Sequence, residues 1–170
     1  MTMSDRIAVM NNGRYEQLGD PESLYERPET RFVAGFLGVS NLLPATVVGT
    51  DGDYAACRLA NDQTVRVPAA LTRGAQRVDV GIRPEKIRLS ATGESNGGQE
   101  NRMSGTIRDA SYIGVSTQYI VEARGGTRVT VYEQNVERAT RDELWQVGTD
   151  VDLTWLPDHS FVVEAAKPGE

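Results

Sequence analysis

The chain has 170 residues, of which 39% are hydrophobic and 25% charged, values typical of a folded protein rather than a disordered one. Its longest apolar run, residues 32–39, is far shorter than the roughly 20 residues that cross a bilayer, and its start lacks the features of a signal peptide. The net charge of -6 disfavours a nucleic-acid partner, because nucleic-acid binding relies on basic residues. We therefore expect a cytoplasmic chain without direct membrane insertion. Cys57, the single cysteine, excludes an intramolecular disulfide and is expected to be buried.

A short hairpin is predicted first. Residues 7–10 form an apolar run that is consistent with a buried strand. Asn12-Gly13 favours a tight turn, because these residues tolerate positive φ. Residues 15–18 then form a return strand.

Two short helices are predicted after the hairpin. Asp20 and Pro21 provide an N-cap and a first helical position, and Pro28 ends this helix. The second helix is expected over residues 30–37, with one shared apolar face. That face comprises Phe32, Val33, Phe36 and Leu37.

From residue 42 the pattern changes to short alternating runs separated by glycine-bearing turns, which indicates an antiparallel barrel or sandwich. Trp145 and Trp155 lie in apolar-periodic strings and are expected in its core. Residues 91–101 lack apolar periodicity and are predicted to be a flexible surface connection.

A weak internal repeat relates residues 78–85 to residues 151–158. Each block is an alternating strand that ends in proline and an acid, because proline cannot donate to a strand ladder. We interpret the region as two related β halves, 41–90 and 102–165, joined by the flexible connection.

The N-terminal segment resembles ATP-binding-cassette (ABC) transporter ATPases. The similar positions follow the spacing Met3-Ser4-Asp5-Arg6-Ile7-Ala8-Val9-Met10 with Gly13-Arg14, and then Gly19, Pro21, Tyr25, Pro28 and 32–38. In that family these residues end the nucleotide-binding domain. The resemblance implies that residues 1–40 are the α/β remnant of such a domain, a hairpin with two helices.

Gly81-Ile82-Arg83-Pro84-Glu85-Lys86-Ile87 resembles the hallmark of the transport-associated OB (TOBE) domain. The resemblance implies an OB-like antiparallel β-barrel over residues 41–170, and a mainly β chain. The strings 112–119 and 134–135 look most like the spermidine/putrescine branch. The implied partners are a nucleotide-binding domain, through it a membrane permease, and a second copy in a homodimer.

The chain lacks what this family uses for ATP hydrolysis. Its two lysines, Lys86 and Lys167, do not follow a glycine, so a phosphate-binding loop is absent. His159 is expected to be a surface turn residue. Residues 95–99 resemble the ABC signature but precede a poor helix start, and we interpret them as a loop. Cofactors, ATP and magnesium, are therefore expected only in the intact family member, and no catalytic residue is expected here.

Two groups of residues are candidates for function. Arg83, Pro84 and Glu85 are predicted to form a structural turn, with contact to a partner domain as the alternative. An association surface is predicted from apolar residues whose family partners this chain does not encode. It comprises Ile7, Val9, Phe32, Val33, Phe36 and Leu37.

Two other classes of function stay open at this point. A free-standing TOBE-type protein that binds a small anion would leave residues 1–38 unexplained. An OB-fold nucleic-acid binder would need exposed aromatic residues and a basic groove, whereas aromatic residues make up 6% of the chain. An accessory or regulatory role in a polyamine importer accounts for most of the sequence.

We predict that the purified chain does not bind Mg-ATP with useful affinity, because it has no phosphate-binding loop. Isothermal titration calorimetry should show no saturable heat of binding. A dissociation constant in the micromolar range would contradict the prediction.

Overall fold

The structure is a computed structural model, and it describes residues 4–93, 98–135 and 145–165. It is built mainly from antiparallel strands. The strands are β1 (Ile7–Asn11), β2 (Arg14–Gly19), β3 (Asn41–Asp51), β4 (Tyr54–Leu59), β5 (Thr64–Pro68), β6 (Arg77–Ile82), β7 (Arg88–Ala91), β8 (Asn101–Ile113), β9 (Ser116–Ala123), β10 (Arg128–Gln134), β11 (Asp150–Trp155) and β12 (Ser160–Glu164). The helices are α1 (Pro21–Glu26) and α2 (Arg31–Phe36).

The N-terminal hairpin and both helices form as predicted. Asn12 and Gly13 take φ of 48° and 77° in the turn between β1 and β2. The side chain of Asp20 accepts a hydrogen bond from the Ser23 backbone N–H at 2.9 Å, which caps α1. Thr30 caps α2 in the same way. Local sequence signals are sufficient for these elements.

The predicted apolar face of α2 is wrong. Val33 is buried and Leu37 packs beside it, whereas Phe32 and Phe36 are 39% and 67% exposed. The two phenylalanine rings stack on each other, with centroids 5.9 Å apart. The buried side of this short helix includes Ala34, which packs against the barrel. The helix packs against the N-terminal core through Val33 and against the barrel through Ala34, and these two contacts leave the phenylalanines exposed.

Two five-stranded sheets form the rest of the fold. The first has the order β12-β6-β3-β4-β5 and the second has the order β7-β11-β8-β9-β10. The two orders are equivalent, because β3 to β7 correspond in chain order to β8 to β12. The final strands are exchanged, because β7 joins the sheet of the second half and β12 joins that of the first. The two halves are therefore interlocked.

The repeated blocks occupy equivalent places in the two sheets. Strands β6 and β11 share one burial pattern, and each is followed by a 3₁₀ turn that begins with proline. Asp79 and Asp152 are equivalent, buried and each paired with an arginine, Arg31 and Arg102. Burial opposes ionisation of Asp152, but hydrogen bonds from Arg102, Ser104 and a backbone N–H lower its pKa.

A pair of asparagines connects the halves reciprocally. The Asn41 amide donates to the Thr130 carbonyl and accepts from its N–H, both at 2.8 Å. The Asn101 amide does the same with Arg66, at 2.8 and 2.7 Å. Each asparagine thus binds the edge strand of the other half like an extra strand residue.

The predicted connection over residues 91–101 is shorter than expected. Ala91 ends β7 and Asn101 begins β8, where it is 4% exposed. The carbonyl of Gln99 accepts a hydrogen bond from Arg66 at 2.6 Å. Residues 94–97, which include most of the string resembling the ABC signature, lie outside the described residues.

The main core lies between the two sheets. Cys57 and Trp155 are buried in it, and Trp145 packs against it, as predicted. His159 lies in the 3₁₀ turn Pro157–His159 and is partly exposed. In the described parts of the chain, no helix has the length and apolar character needed to cross a membrane.

Gly81 lies opposite Phe161 in the β6–β12 pair, and a Cβ at this position would overlap the phenylalanine ring. We predict that Gly81→Ala destabilises the fold by about 1–3 kcal/mol, because the ring must leave its packed position. Gly49→Ala is the matched control, since a Cβ there meets no atom within 4 Å. Urea unfolding of both variants checks this, and equal losses of stability would contradict it.

Candidate functional site: the Arg83 junction

Arg83 lies at the junction between residues 5–40 and the sheets. It directly follows β6 and directly precedes the 3₁₀ turn Pro84–Lys86. The residue is 1% exposed, which is unusual for an arginine. A buried guanidinium needs partners for its donors.

Those partners come from the N-terminal segment. Nη2 donates to the Tyr25 carbonyl at 2.6 Å. Nη1 donates to the Ser40 hydroxyl at 2.5 Å and to the Ala34 carbonyl at 3.2 Å. The end of α1, the second half of α2 and the residue before β3 thus meet at one side chain.

Two aromatic rings complete the surroundings of the guanidinium. Its carbon lies 4.0 Å from the ring centroid of Tyr25 and 5.4 Å from that of Phe161. Both distances allow a cation–π attraction. Burial lowers the pKa of Arg83, while Tyr25 and Glu85 act in the opposite direction. Arginine nevertheless stays charged at any ordinary pH.

Glu85 forms a second link beside the first. The Tyr25 hydroxyl donates to its carboxylate at 2.6 Å. Burial and this hydrogen bond raise the pKa of Tyr25 to about 12. The phenol therefore remains a donor throughout the physiological range. Pro84 is buried and begins the 3₁₀ turn.

Ion pairs surround the junction. Arg31 pairs with the buried carboxylate of Asp79, where removal of the partner would leave a buried charge. Lys86 pairs with Glu26 at 3.3 Å in a more exposed position. Such exposed pairs contribute roughly 0–1 kcal/mol. The contacts of the buried Arg83 and Asp79 side chains therefore stabilise the junction more than the exposed ion pair does.

The structure corrects the predicted association surface. Val9 and Val33 are buried in a small core of the N-terminal segment, and Ile7 and Leu37 pack against it. The reason is that the hairpin and both helices bury these residues against one another. Phe32 and Phe36 remain accessible. Other exposed apolar residues of the segment are Met10, Tyr15, Leu18 and Val39.

Sequence reasoning singled out Arg83, Pro84 and Glu85 but missed Tyr25, Ser40 and Phe161 as their partners. One signal was present in the repeat. The position equivalent to Arg83 in the second block is Leu156, which is 43% exposed. A charge that replaces an apolar residue in one copy indicates a role specific to that half.

Comparison with known proteins first defines the class. The model of the TOBE domain family matches residues 80–163, which include Arg83 and Phe161 but not the partners of Arg83 in the N-terminal segment. A solved structure of ModG, described as a cytoplasmic molybdate-binding protein, superposes with a TM-score of 0.60 over 74% of this chain and 96% of its own. The two are 14% identical, so this similarity shows the OB-like fold alone.

The particular relatives are proteins named spermidine/putrescine import ATP-binding protein PotA. Identity is 41% with that of Frankia alni over 96% of this chain, 40% with Thermobifida fusca over 96%, and 38% with Pseudomonas aeruginosa over 97%. The chain covers 36%, 41% and 45% of these relatives. It therefore belongs with the TOBE-bearing ATP-binding subunits of ABC transporters, and spans about two fifths of the length of the curated relatives it matches.

We predict that Arg83→Met lowers the free energy of unfolding by about 2–4 kcal/mol, because a buried charge is removed and three buried or partly buried acceptors lose their donor. Hydrogen exchange should accelerate most in residues 20–38. Arg73→Met is the control, since Arg73 is exposed and pairs with Glu29 at only 3.6 Å; its effect should stay within about 0.5 kcal/mol. Similar losses in both variants would contradict the role of the junction.

Proposed function

We propose that this chain is the accessory part of the ATP-binding subunit of an ABC importer, with spermidine or putrescine as the cargo. The observation that carries this proposal is the identity of 36–41% to proteins named for spermidine/putrescine import, over almost the entire chain for most of them. Since the chain spans about two fifths of these relatives, the transport activity itself belongs to the complete subunit.

We infer that the Arg83 junction couples the N-terminal segment rigidly to the TOBE domain. The N-terminal segment contributes acceptors to a charge that is fixed at the end of β6. A buried guanidinium with several partners resists separation of the N-terminal segment from the sheets, because separation would leave the polar groups on both sides unpaired. The N-terminal segment and the TOBE domain would then move together as one rigid body when the preceding part of the subunit moves.

Continuity with a preceding part is also supported by the hairpin. Among the described residues, strands β1 and β2 pair only with each other, so the outer edge of each strand has no neighbouring strand there. Such an edge is a template for a further strand. We infer that the preceding part of the subunit supplies it, and that a permease and a second copy assemble through that part at the cytoplasmic face of a membrane.

Nucleotide chemistry is not assigned to this chain. Its residues do not fit Mg-ATP, because no glycine-rich loop with lysine and serine or threonine occurs in the sequence. In the described parts of the chain, no three residues of the metal-ligating types come together. We infer that it cannot hydrolyse ATP by itself. The alternative of a free-standing anion-binding protein gains no support from ModG, since that similarity shows only the fold.

The test is uptake of radiolabelled spermidine in the source organism, with Arg83→Met introduced into the chromosomal gene. Uptake should fall at least five-fold while the amount of subunit stays unchanged, because the TOBE domain would no longer follow the ATP-binding part. Arg73→Met should leave uptake unchanged.

Three cargoes are compared in parallel: spermidine, putrescine and a sugar. Loss of sugar uptake with normal polyamine uptake would overturn the assignment of cargo. Normal uptake of all three in the Arg83→Met strain would overturn the role of the junction.

A further inference from the structure

The two interlocked halves carry opposite charges at one equivalent place on their outer faces. In the first sheet, Thr46 of β3 lies between Arg58 of β4 and Arg77 of β6. We call these three residues the basic row. In the second sheet, the equivalent residues form the acidic row. They are Glu122, Thr106 and Asp150, in the same strand order.

The acidic row is satisfied within the chain. The Thr106 hydroxyl donates to the Asp150 carboxylate at 2.6 Å. Arg108 donates to the Glu122 carboxylate at 2.9 Å. Hydroxyl and carboxylates therefore already have partners, and one of the two charges is neutralised.

The basic row is not satisfied in this way. In the range 4–165 outside the two internal gaps, neither Arg58 nor Arg77 has an ion pair or a side-chain hydrogen bond. Both line a groove of about 320 Å³ together with Thr46, Arg31 and Asp79. Arg31 and Asp79 pair with each other, which leaves two positive charges in excess. That excess is opposite in sign to the net charge of the chain.

The spacing of the basic row suits a small anion. Neighbouring strands lie about 4.8 Å apart, so the two arginines begin about 10 Å apart with the threonine hydroxyl midway. Two long guanidinium side chains can close on an oxyanion from both sides, and each can donate two parallel hydrogen bonds. An anion would also relieve the repulsion between the like charges.

From this geometry we propose that the groove around the basic row binds a phosphate-type oxyanion, either inorganic phosphate or the phosphate of a small monoester. Arg58 and Arg77 hold the charge, and the Thr46 hydroxyl donates to a third oxygen. Arg31 is excluded from this role by its pair with Asp79. This site is separate from the Arg83 junction, and its proposal does not depend on the proposed transport role.

The probe is inorganic phosphate, titrated into the complete 170-residue chain at constant ionic strength and followed by backbone amide chemical shifts. In the wild type, amides around residues 45–47, 58–59 and 77–78 should shift saturably. The double variant Arg58→Gln/Arg77→Gln should bind at least ten-fold more weakly. Thr46→Val should weaken binding about three-fold or more while it leaves both charges in place.

The matched control is Arg88→Gln/Arg124→Gln, which removes the same charge from exposed positions outside the groove, on β7 and in the turn after β9. It should bind like the wild type. Equal weakening in both double variants, or no saturable shift in the wild type, would overturn the proposal. A thermal unfolding curve of each variant establishes that it is folded; if the double variant is unfolded, Arg77→Gln alone replaces it, with an expected weakening of at least three-fold.

Two further arms distinguish the source of the phosphate. Glycerol phosphate should compete with inorganic phosphate at the same amides, which supports a small ligand. Vesicles of phosphatidylglycerol in phosphatidylcholine test a lipid headgroup. Binding to vesicles or to single-stranded DNA, without any response to free phosphate, would overturn the assignment to a small anion.

Discussion

The exchange of the final strand between the two halves is the constraint on which the rest of this structure depends. Strand β7 completes the sheet of the second half, and β12 completes that of the first. Neither half can therefore form its full sheet alone. Asn41 and Asn101 add a reciprocal side-chain link between each half and the other's edge strand. Cooperative folding of the whole region follows from this arrangement, because long-range pairs replace local ones.

The near-symmetry of the barrel makes its departures informative. Arg83 and Leu156 occupy equivalent positions, yet one is a buried charge with partners from the N-terminal segment and the other is partly exposed. The tyrosine contacts of the two turns are similar, since Tyr25 binds Glu85 and Tyr54 binds Asp158. One end of a repeated scaffold has thus become the attachment point for the N-terminal segment. The other end has kept only the turn.

The basic row is a second departure of the same kind. The two halves share the strand framework but carry opposite charges at the equivalent positions of their outer faces. The inner faces of both sheets remain apolar because they pack against each other. A repeated β domain can therefore vary its outer charges without loss of the core, which explains how one fold is used for attachment and for different surface chemistry.

The sequence by itself determined the local elements: the hairpin turn at Asn12-Gly13, the capped starts of α1 and α2, the alternating strands and the repeat that ends in proline. These follow from φ preferences, capping and periodicity within a few residues. The tertiary structure alone decided the rest. The hydrogen-bond partners of Arg83 are up to 58 residues away in the chain, and those of Asn41 are 89 away. The face of α2 that is buried depended on docking to two surfaces at once. Such choices come from packing between distant segments, for which the local pattern carries no signal.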